Sequence, residues 1–227
     1  MNEVTPLRRI RSFVLRQGRM TPGQERALAE LLPRFQVPAG PIDFRALFGR
    51  EARRTLEIGF GDGDNLAELA RRHPEQDFLG AEVHRPGVGR LLLSVEADRI
   101  NNIRVLDDDV MPALQERIPD GSLDAILIYF PDPWPKKRHH KRRLLQSETA
   151  ELFARRLKPG GRLHLATDWE DYARHALEVL EACAAFQNSA ADGGFVARAA
   201  ERPETKFERR GLKLGHKVFD LVFTRRA

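Results

Sequence analysis

The sequence predicts an α/β fold, a mostly parallel sheet with helices packed on both faces. Three observations carry this. From Thr55 onward, short apolar runs alternate with amphipathic stretches at the pitch of strand–helix crossover units. Leu123–Phe130 is almost continuously apolar, as expected of a strand buried on both faces. The first apolar run ends in glycines that open directly into a helical pattern.

Taken in order, Thr55–Ile58 reads as the first strand and Asp64–His73 as a helix capped by Asp64. Asp77–Val83 is a second strand with Val88–Ile100 as its helix. Ile103–Leu106 is a third strand, followed by a short helix over Val110–Ile118. Leu123–Phe130 is the fourth strand. Leu144–Leu157 has helical spacing and stops at the turn Lys158-Pro159-Gly160-Gly161. Arg162–Thr167 is a fifth strand, Asp171–Phe186 a helix, and Val218–Phe223 a last strand. Residues 1–54, with five prolines and loose periodicity, read as a basic, partly flexible N-terminal extension; residues 55–227 form the domain.

Composition narrows the class. With 227 residues, 41% hydrophobic and 31% charged, the chain can bury a real core and remain water-soluble. Its one cysteine, Cys183, excludes an internal disulfide and a multi-cysteine zinc site, and fits a reducing, cytoplasmic compartment. No apolar run approaches the roughly 18 residues of a membrane span, and the N-terminus opens on polar and charged residues without the apolar segment of a secretory signal.

Net charge is a modest +5, but it is unevenly placed. Residues 1–54 hold eleven Lys and Arg against five acids, and residues 136–143 hold six with no acid, so the rest of the chain is acidic. An acidic body with two basic segments points to a polyanion held at chosen places.

The segment Leu56-Glu57-Ile58-Gly59-Phe60-Gly61-Asp62-Gly63-Asp64 joins the first strand to its helix. Alternate glycines let the backbone turn tightly and approach a ligand. The third glycine comes one position too early for a dinucleotide fingerprint. Glu57, Asp62 and Asp64 sit there with no local Lys or Arg, which repels a pyrophosphate and favours a cation. S-adenosylmethionine, with a sulfonium, an α-ammonium and no phosphate, fits. Glu82, closing the second strand, is placed to accept from both ribose hydroxyls of an adenosine. Asp107, Asp108 and Asp109 after the third strand are three candidates for the adenine amino group.

After the fourth strand comes Pro131-Asp132-Pro133-Trp134-Pro135, a stiff loop in which three prolines fix φ. A rigid carboxylate beside an aromatic plane suits a flat polar ring such as a nucleobase, and Trp134 either stacks on that base or packs on the fold. The basic run beginning at Lys136 makes phosphate the partner beside it.

Together these residues resemble the bacterial tRNA (guanine-N7)-methyltransferase family. The likeness covers about Thr55 to the C-terminus and rests on Leu56–Gly61, Phe78–His84, Phe130–Trp134 with Arg138–Arg143, Ala166-Thr167-Asp168-Trp169, and Thr205–Arg209 before Gly211. It implies a Rossmann-like class I methyltransferase with a seven-stranded sheet, transferring a methyl group from S-adenosylmethionine to N7 of guanosine 46 in the tRNA variable loop. By motif, Glu57, Gly59, Gly61, Glu82 and Asp109 would hold the cofactor, and Asp132 would be the catalytic acid bordering it. Lys136, Asp168, Thr205, Lys206, Phe207 and Glu208 match substrate positions, and Arg138, His139, His140, Lys141, Arg142 and Arg143 the RNA-contacting strip. Pro135 departs from relatives that carry His there. No metal is expected, since no acid or cysteine lies near His139 and His140 in sequence. The oligomeric state is left as monomer or homodimer.

Guanine N7 has a lone pair and no proton, so the reaction needs no general base. Asp132 and Asp168 are suited to accept from guanine N1–H and the 2-amino group, bonds that strengthen as the ring becomes cationic. Two other readings stay open: N6-adenine methylation, whose Asp-Pro-Pro-aromatic signature resembles Pro131–Trp134, and an RNA-binding module with a disused cofactor pocket.

Overall fold

A computed structural model of the chain describes residues 11–14, 18–198, 202–203, 208–209, 215 and 217–227. Its centre is a seven-stranded sheet made of β1 (Arg54–Ile58), β2 (Asp77–Ala81), β3 (Ile103–Leu106), β4 (Leu123–Tyr129), β5 (Leu157–Thr167), β6 (Phe186–Asn188) and β7 (Phe219–Arg225). The order is β3-β2-β1-β4-β5-β7-β6. β1 to β5 are mutually parallel, and β7 runs antiparallel to both β5 and β6. The expected seven-stranded, mostly parallel sheet is present.

Strand order reverses between β1 and β4, which pair in register from Thr55↔Ala125 to Ile58↔Ile128. The loops leaving their carboxyl ends therefore diverge around one crevice, the usual ligand site of such a sheet. Alternate residues of one strand serve opposite faces: Leu79 and Ala81 of β2 join one apolar cluster, Phe78 the other. Both faces are covered by helices, namely α4 (Asp64–Arg72), α5 (Arg85–Ala97), α7 (Ser147–Arg156) and α8 (Glu170–Ala182), with a short α6 (Val110–Pro112) continued by a π-helical turn at Ala113–Arg117.

The N-terminal region departs from the expected extension. Among the described residues three helices precede the sheet: α1 (Pro22–Glu30), α2 (Leu32–Phe35) and α3 (Phe44–Phe48). Ala27, Leu28, Leu31 and Leu32 are buried in the same cluster as Val88, Leu91, Leu92 and Val95 of α5. Burial of such a leucine stabilises by roughly 1.5–3 kcal/mol, enough to make residues 22–48 an integral part of the core. Gln36 bridges Val105, and the Val37 N–H donates to the Val105 carbonyl at 2.9 Å, covering the open edge of the sheet at β3.

Smaller differences follow local chemistry. α4 is capped by Gly63 at φ +80°, and Asp64 lies in the first turn rather than at the cap. The Lys158–Gly161 turn lies within β5, as a register shift opposite Leu123 and Ala125. α8 stops at Ala182, and Phe186 begins β6 instead of ending the helix. Among the described residues no helix is long and apolar enough to cross a membrane.

Candidate active site

The crevice at the strand reversal is a cavity of about 460 Å³. Its floor is the loop after β1, where Gly59, Gly61 and Gly63 all have positive φ, of 74°, 58° and 80°. At Gly63 a side chain is excluded twice over, because a Cβ would also lie 2.6 Å from Leu91 Cβ. Opposite the loop, α5 approaches through Gly87, where a Cβ would fall 2.1 Å from the Gly61 carbonyl oxygen.

Gly87→Ala replaces a helical glycine with the best helix former, worth about 1 kcal/mol in its favour at an open site. Here we expect the opposite sign: unfolding free energy lower by about 1–3 kcal/mol from overpacking. Cofactor affinity should also weaken by at least about tenfold, because α5 has to move away from the glycine loop. Calorimetric titration and thermal unfolding of the one variant check both.

Seven carboxylates line the cavity: Glu57, Asp62, Asp64, Glu82, Asp108, Asp109 and Asp132. Among its described lining residues there is no lysine or arginine. Asp62 and Asp64 are not uncompensated, because Arg90 of α5 approaches them at 3.9 and 3.5 Å. The negative character rests instead on the inner acids.

Glu57 is 3% exposed, and its Oε2 finds no hydrogen-bond partner among the described residues. Burial pushes its carboxyl up to about 7; nearby Asn65 acts against that shift and Glu82 adds to it. The side-chain amide atoms of Asn65, also buried and lining the cavity, likewise find no hydrogen-bond partner among the described residues. Unsatisfied buried groups of this kind are what a polar ligand would complete.

Glu82 is fixed by backbone donors, Gly61 N–H at 2.7 Å on one oxygen and Val83 and His84 N–H at 2.8 and 2.9 Å on the other. It thereby ties the glycine loop to the end of β2. The three aspartates after β3 are separated by their positions. Asp107 accepts from Gln36 at 2.6 Å and does not line the cavity, whereas Asp108 and Asp109 do. Asp109 also caps α6 through the Met111 N–H at 3.0 Å.

Asp132 stands exposed on the rim of the cavity, in the loop after β4. Two non-glycine residues flanking it, Phe130 and Trp134, have φ of 50° and 47°, a costly conformation that the surroundings must hold. The Phe130 N–H donates to the Ala166 carbonyl at 2.7 Å. The loops carrying Asp132 and Asp168 thus leave β4 and β5 side by side. Trp169, next to Asp168, is 39% exposed.

Trp134 is resolved toward packing. Its Nε1–H donates to the Ser12 carbonyl at 2.9 Å, and the Arg142 guanidinium lies 3.8 Å from its ring centre. Arg142 also donates to the carbonyls of Arg11 and Phe13, so the two together hold Ser12, Phe13 and Val14 against the mouth of the cavity. Nothing in the sequence pattern of residues 11–14 signals this placement.

The basic run forms a 3₁₀ helix, Lys137–Arg142. Lys136, Lys137, Arg138 and Lys141 are exposed, and His139 and His140 half-buried. Partial desolvation, then the surrounding cations, hold His139 below the usual histidine range. Arg143, expected on the RNA-contacting strip, is 2% exposed. It donates to the Pro133 carbonyl at 3.0 Å and pairs with Asp171, so it braces the Asp132 loop from beneath.

Glu208, expected to touch substrate, is 1% exposed, and its carboxylate is taken by Arg198 and Arg202. Thr205, Lys206 and Phe207 lie outside the described residues.

Residues 51–221 match a family model described as a putative methyltransferase. Curated relatives named tRNA (guanine-N(7)-)-methyltransferase include one from Alkalilimnicola ehrlichii, 57% identical over 98% of this chain and 95% of the relative. Another, from Pseudomonas putida strain W619, is 55% identical over 97% and 93%. Among solved structures, the 16S rRNA methyltransferase KamB superposes with a TM-score of 0.60 at 15% identity, over 81% of this chain and 93% of that one. The [4+2]-cyclase SpnF superposes at 0.54 and 15%, over 93% and 100%. A cyclase on the same scaffold shows that the fold alone does not choose the reaction; the high-identity relatives do. The chain belongs to the tRNA (guanine-N7)-methyltransferase family.

Proposed function

We infer that this protein transfers a methyl group from S-adenosylmethionine to N7 of a guanosine in tRNA, at position 46 of the variable loop. The observation that carries the reading is the acid-lined cavity at the strand reversal, with orphaned Glu57 and Asn65 inside and Asp132 on its rim. Those groups fit a ligand bearing an ammonium, a sulfonium and an adenosine, and they repel a phosphate-bearing one.

S-adenosylmethionine, when bound, supplies an electrophilic methyl carbon on sulfur. Glu57 and Asn65 would hold its amino-acid end, Glu82 the ribose, and Asp108 or Asp109 the adenine amino group. Guanine N7 carries its own unprotonated lone pair, so no residue has to serve as a general base and the chain's task is alignment and charge. In-line placement of the reacting atoms contributes up to roughly 7–11 kcal/mol in favourable cases. Asp132 and Asp168 accept from guanine N1–H and the 2-amino group as positive charge spreads onto the ring. Adenine offers neither donor. Lys136, Lys137, Arg138 and Lys141 lie exposed beside this slot, where phosphates position the RNA without reading its sequence.

The test is labelled S-adenosylmethionine with unmodified tRNA transcripts bearing guanosine or adenosine at position 46, followed by identification of the product nucleoside. N7-methylguanosine from the guanosine transcript alone is the expected result. N6-methyladenosine, or cofactor binding without product on any RNA, would sink the reading.

A further inference from the structure

Beneath the Asp132 loop runs a buried polar network that the transfer chemistry does not use. Arg202 is 3% exposed. Its guanidinium donates to both oxygens of Glu208, at 2.8 Å each, and to Asp220 of β7 at 3.2 Å. Asp220 in turn contacts His164 of β5 at 2.7 Å, and the other ring nitrogen of His164 meets the Tyr129 hydroxyl at 3.1 Å. Arg198 adds a bond to Glu208 at 2.7 Å and one to the Arg202 carbonyl at 2.7 Å.

The Arg202 guanidinium lies 5.6 Å from the ring centre of Tyr129 and 5.9 Å from that of Phe130. Tyr129 ends β4, and Phe130 follows it into Pro131-Asp132. Phe130 is also the residue held at φ +50°. A strained conformation persists only where its surroundings over-determine it. Arg202 supplies that constraint from one side, and the backbone bond to Ala166 from the other.

We propose that Arg202, held by Glu208 and Asp220, is a positioning residue for the reaction: it braces Tyr129 and Phe130 so that Asp132 meets the guanine in one fixed place. This rests on the transferase reading above. Glu208 then serves the reaction from inside the protein, by holding Arg202, and does not touch RNA. The two roles differ kinetically. A residue that contacts tRNA raises KM when removed, whereas a brace on the reacting geometry lowers kcat and leaves KM in place.

The experiment compares Glu208→Gln, Arg202→Lys and their double variant with the wild type, under saturating S-adenosylmethionine and varied tRNA. Cofactor affinity is read by calorimetry. The expected result is a fall in kcat of about 30- to 100-fold in each single variant, the scale of a misplaced reacting group. KM for tRNA and Kd for S-adenosylmethionine should stay within about twofold, and the double variant should be no worse than the singles, as for residues acting as one unit. A raised KM with unchanged kcat in Glu208→Gln returns that residue to the RNA interface and overturns the proposal. Parallel loss of cofactor binding, or wild-type kcat, also overturns it. Should Arg202→Lys fail to fold, Asp220→Asn decides. That residue is buried on β7, so a fall in kcat at constant KM supports the brace, and wild-type kcat refutes it. A wild type that makes no N7-methylguanosine sinks the functional reading instead, and a variant equal to an active wild type sinks only the brace.

Discussion

Asp132→Asn is expected to lower the single-turnover rate of methyl transfer by about 10²–10³-fold, the cost of removing one preorganised electrostatic partner of a developing charge. The substitution keeps the side chain's shape and one acceptor oxygen. What it removes is the negative charge, and an NH₂ group now competes for the position facing the guanine N–H donors. The ground state loses one hydrogen bond of ordinary strength; the transition state, with positive charge on the ring, loses more. Affinity for S-adenosylmethionine should change by no more than about threefold, because the cavity retains six other carboxylates. The loop itself should not collapse, since Arg143 on the Pro133 carbonyl and Trp134 on the Ser12 carbonyl hold it independently of the Asp132 charge. Rapid-quench measurement with enzyme in excess over tRNA decides it. An unchanged rate would leave Asp132 a loop residue and move the chemistry to Asp168.

The parts of the fold legible in the sequence are those governed by short-range patterning. β1 to β5 and their crossover helices follow from apolar runs, glycines and turn residues that act within a few positions. The N-terminal helices were not legible as core, although Thr21 and Gln24 carry a capping box around Pro22. The reason is that α1 and α2 pack through Ala27, Leu28, Leu31 and Leu32 against α5, roughly sixty residues away, and prolines at 22, 33, 38 and 41 mask the period when the segment is read alone. β6 escaped because a three-residue edge strand has too few positions to show alternation.

The site divides the same way. Glu57, Gly59, Gly61, Glu82, Asp109 and Asp132 converge because Glu57 sits near the carboxyl end of β1 and the others just follow strands of one parallel sheet, a consequence of topology that sequence order foretells. Burial was not foretold. Arg143 sits in a run of cations that looks uniformly solvated, yet a loop carbonyl and Asp171 draw it inside. Glu208 belongs to a motif tied by resemblance to substrate, yet Arg202 turns it inward. Arg90 neutralises part of the glycine loop from a helix that starts more than twenty residues later. Each is a long-range pairing, and pairings of that kind leave no periodicity.

Glu57 carries the second large prediction, because stability and affinity respond to it with opposite signs. Burial raises its carboxyl from the ordinary value to about 7. In the ligand-free protein the folded state therefore keeps a proton that the unfolded chain has released between about pH 4.5 and 7. The group's contribution is fully present below about pH 4.5, and it is lost as pH rises through 7. Glu57→Gln, neutral at every pH, should thus be more stable than the wild type at pH 8, by an amount on the order of 3 kcal/mol before relaxation. A cationic ligand reverses the preference, since an ammonium beside Glu57 favours the carboxylate. Wild-type affinity for S-adenosylmethionine should accordingly rise about tenfold from pH 6 to pH 7.5 as the proton no longer has to be displaced. The glutamine variant should lose that slope and bind about ten- to a hundredfold more weakly at pH 7.5, the worth of a buried charge-assisted hydrogen bond. Unfolding curves and calorimetric titrations at the two pH values measure both effects. A variant that is less stable than the wild type and equally tight for the cofactor would mean that Glu57 is held by the protein alone. A more stable and weaker-binding variant would mean that the fold bears an unsatisfied buried acid because the cofactor requires it.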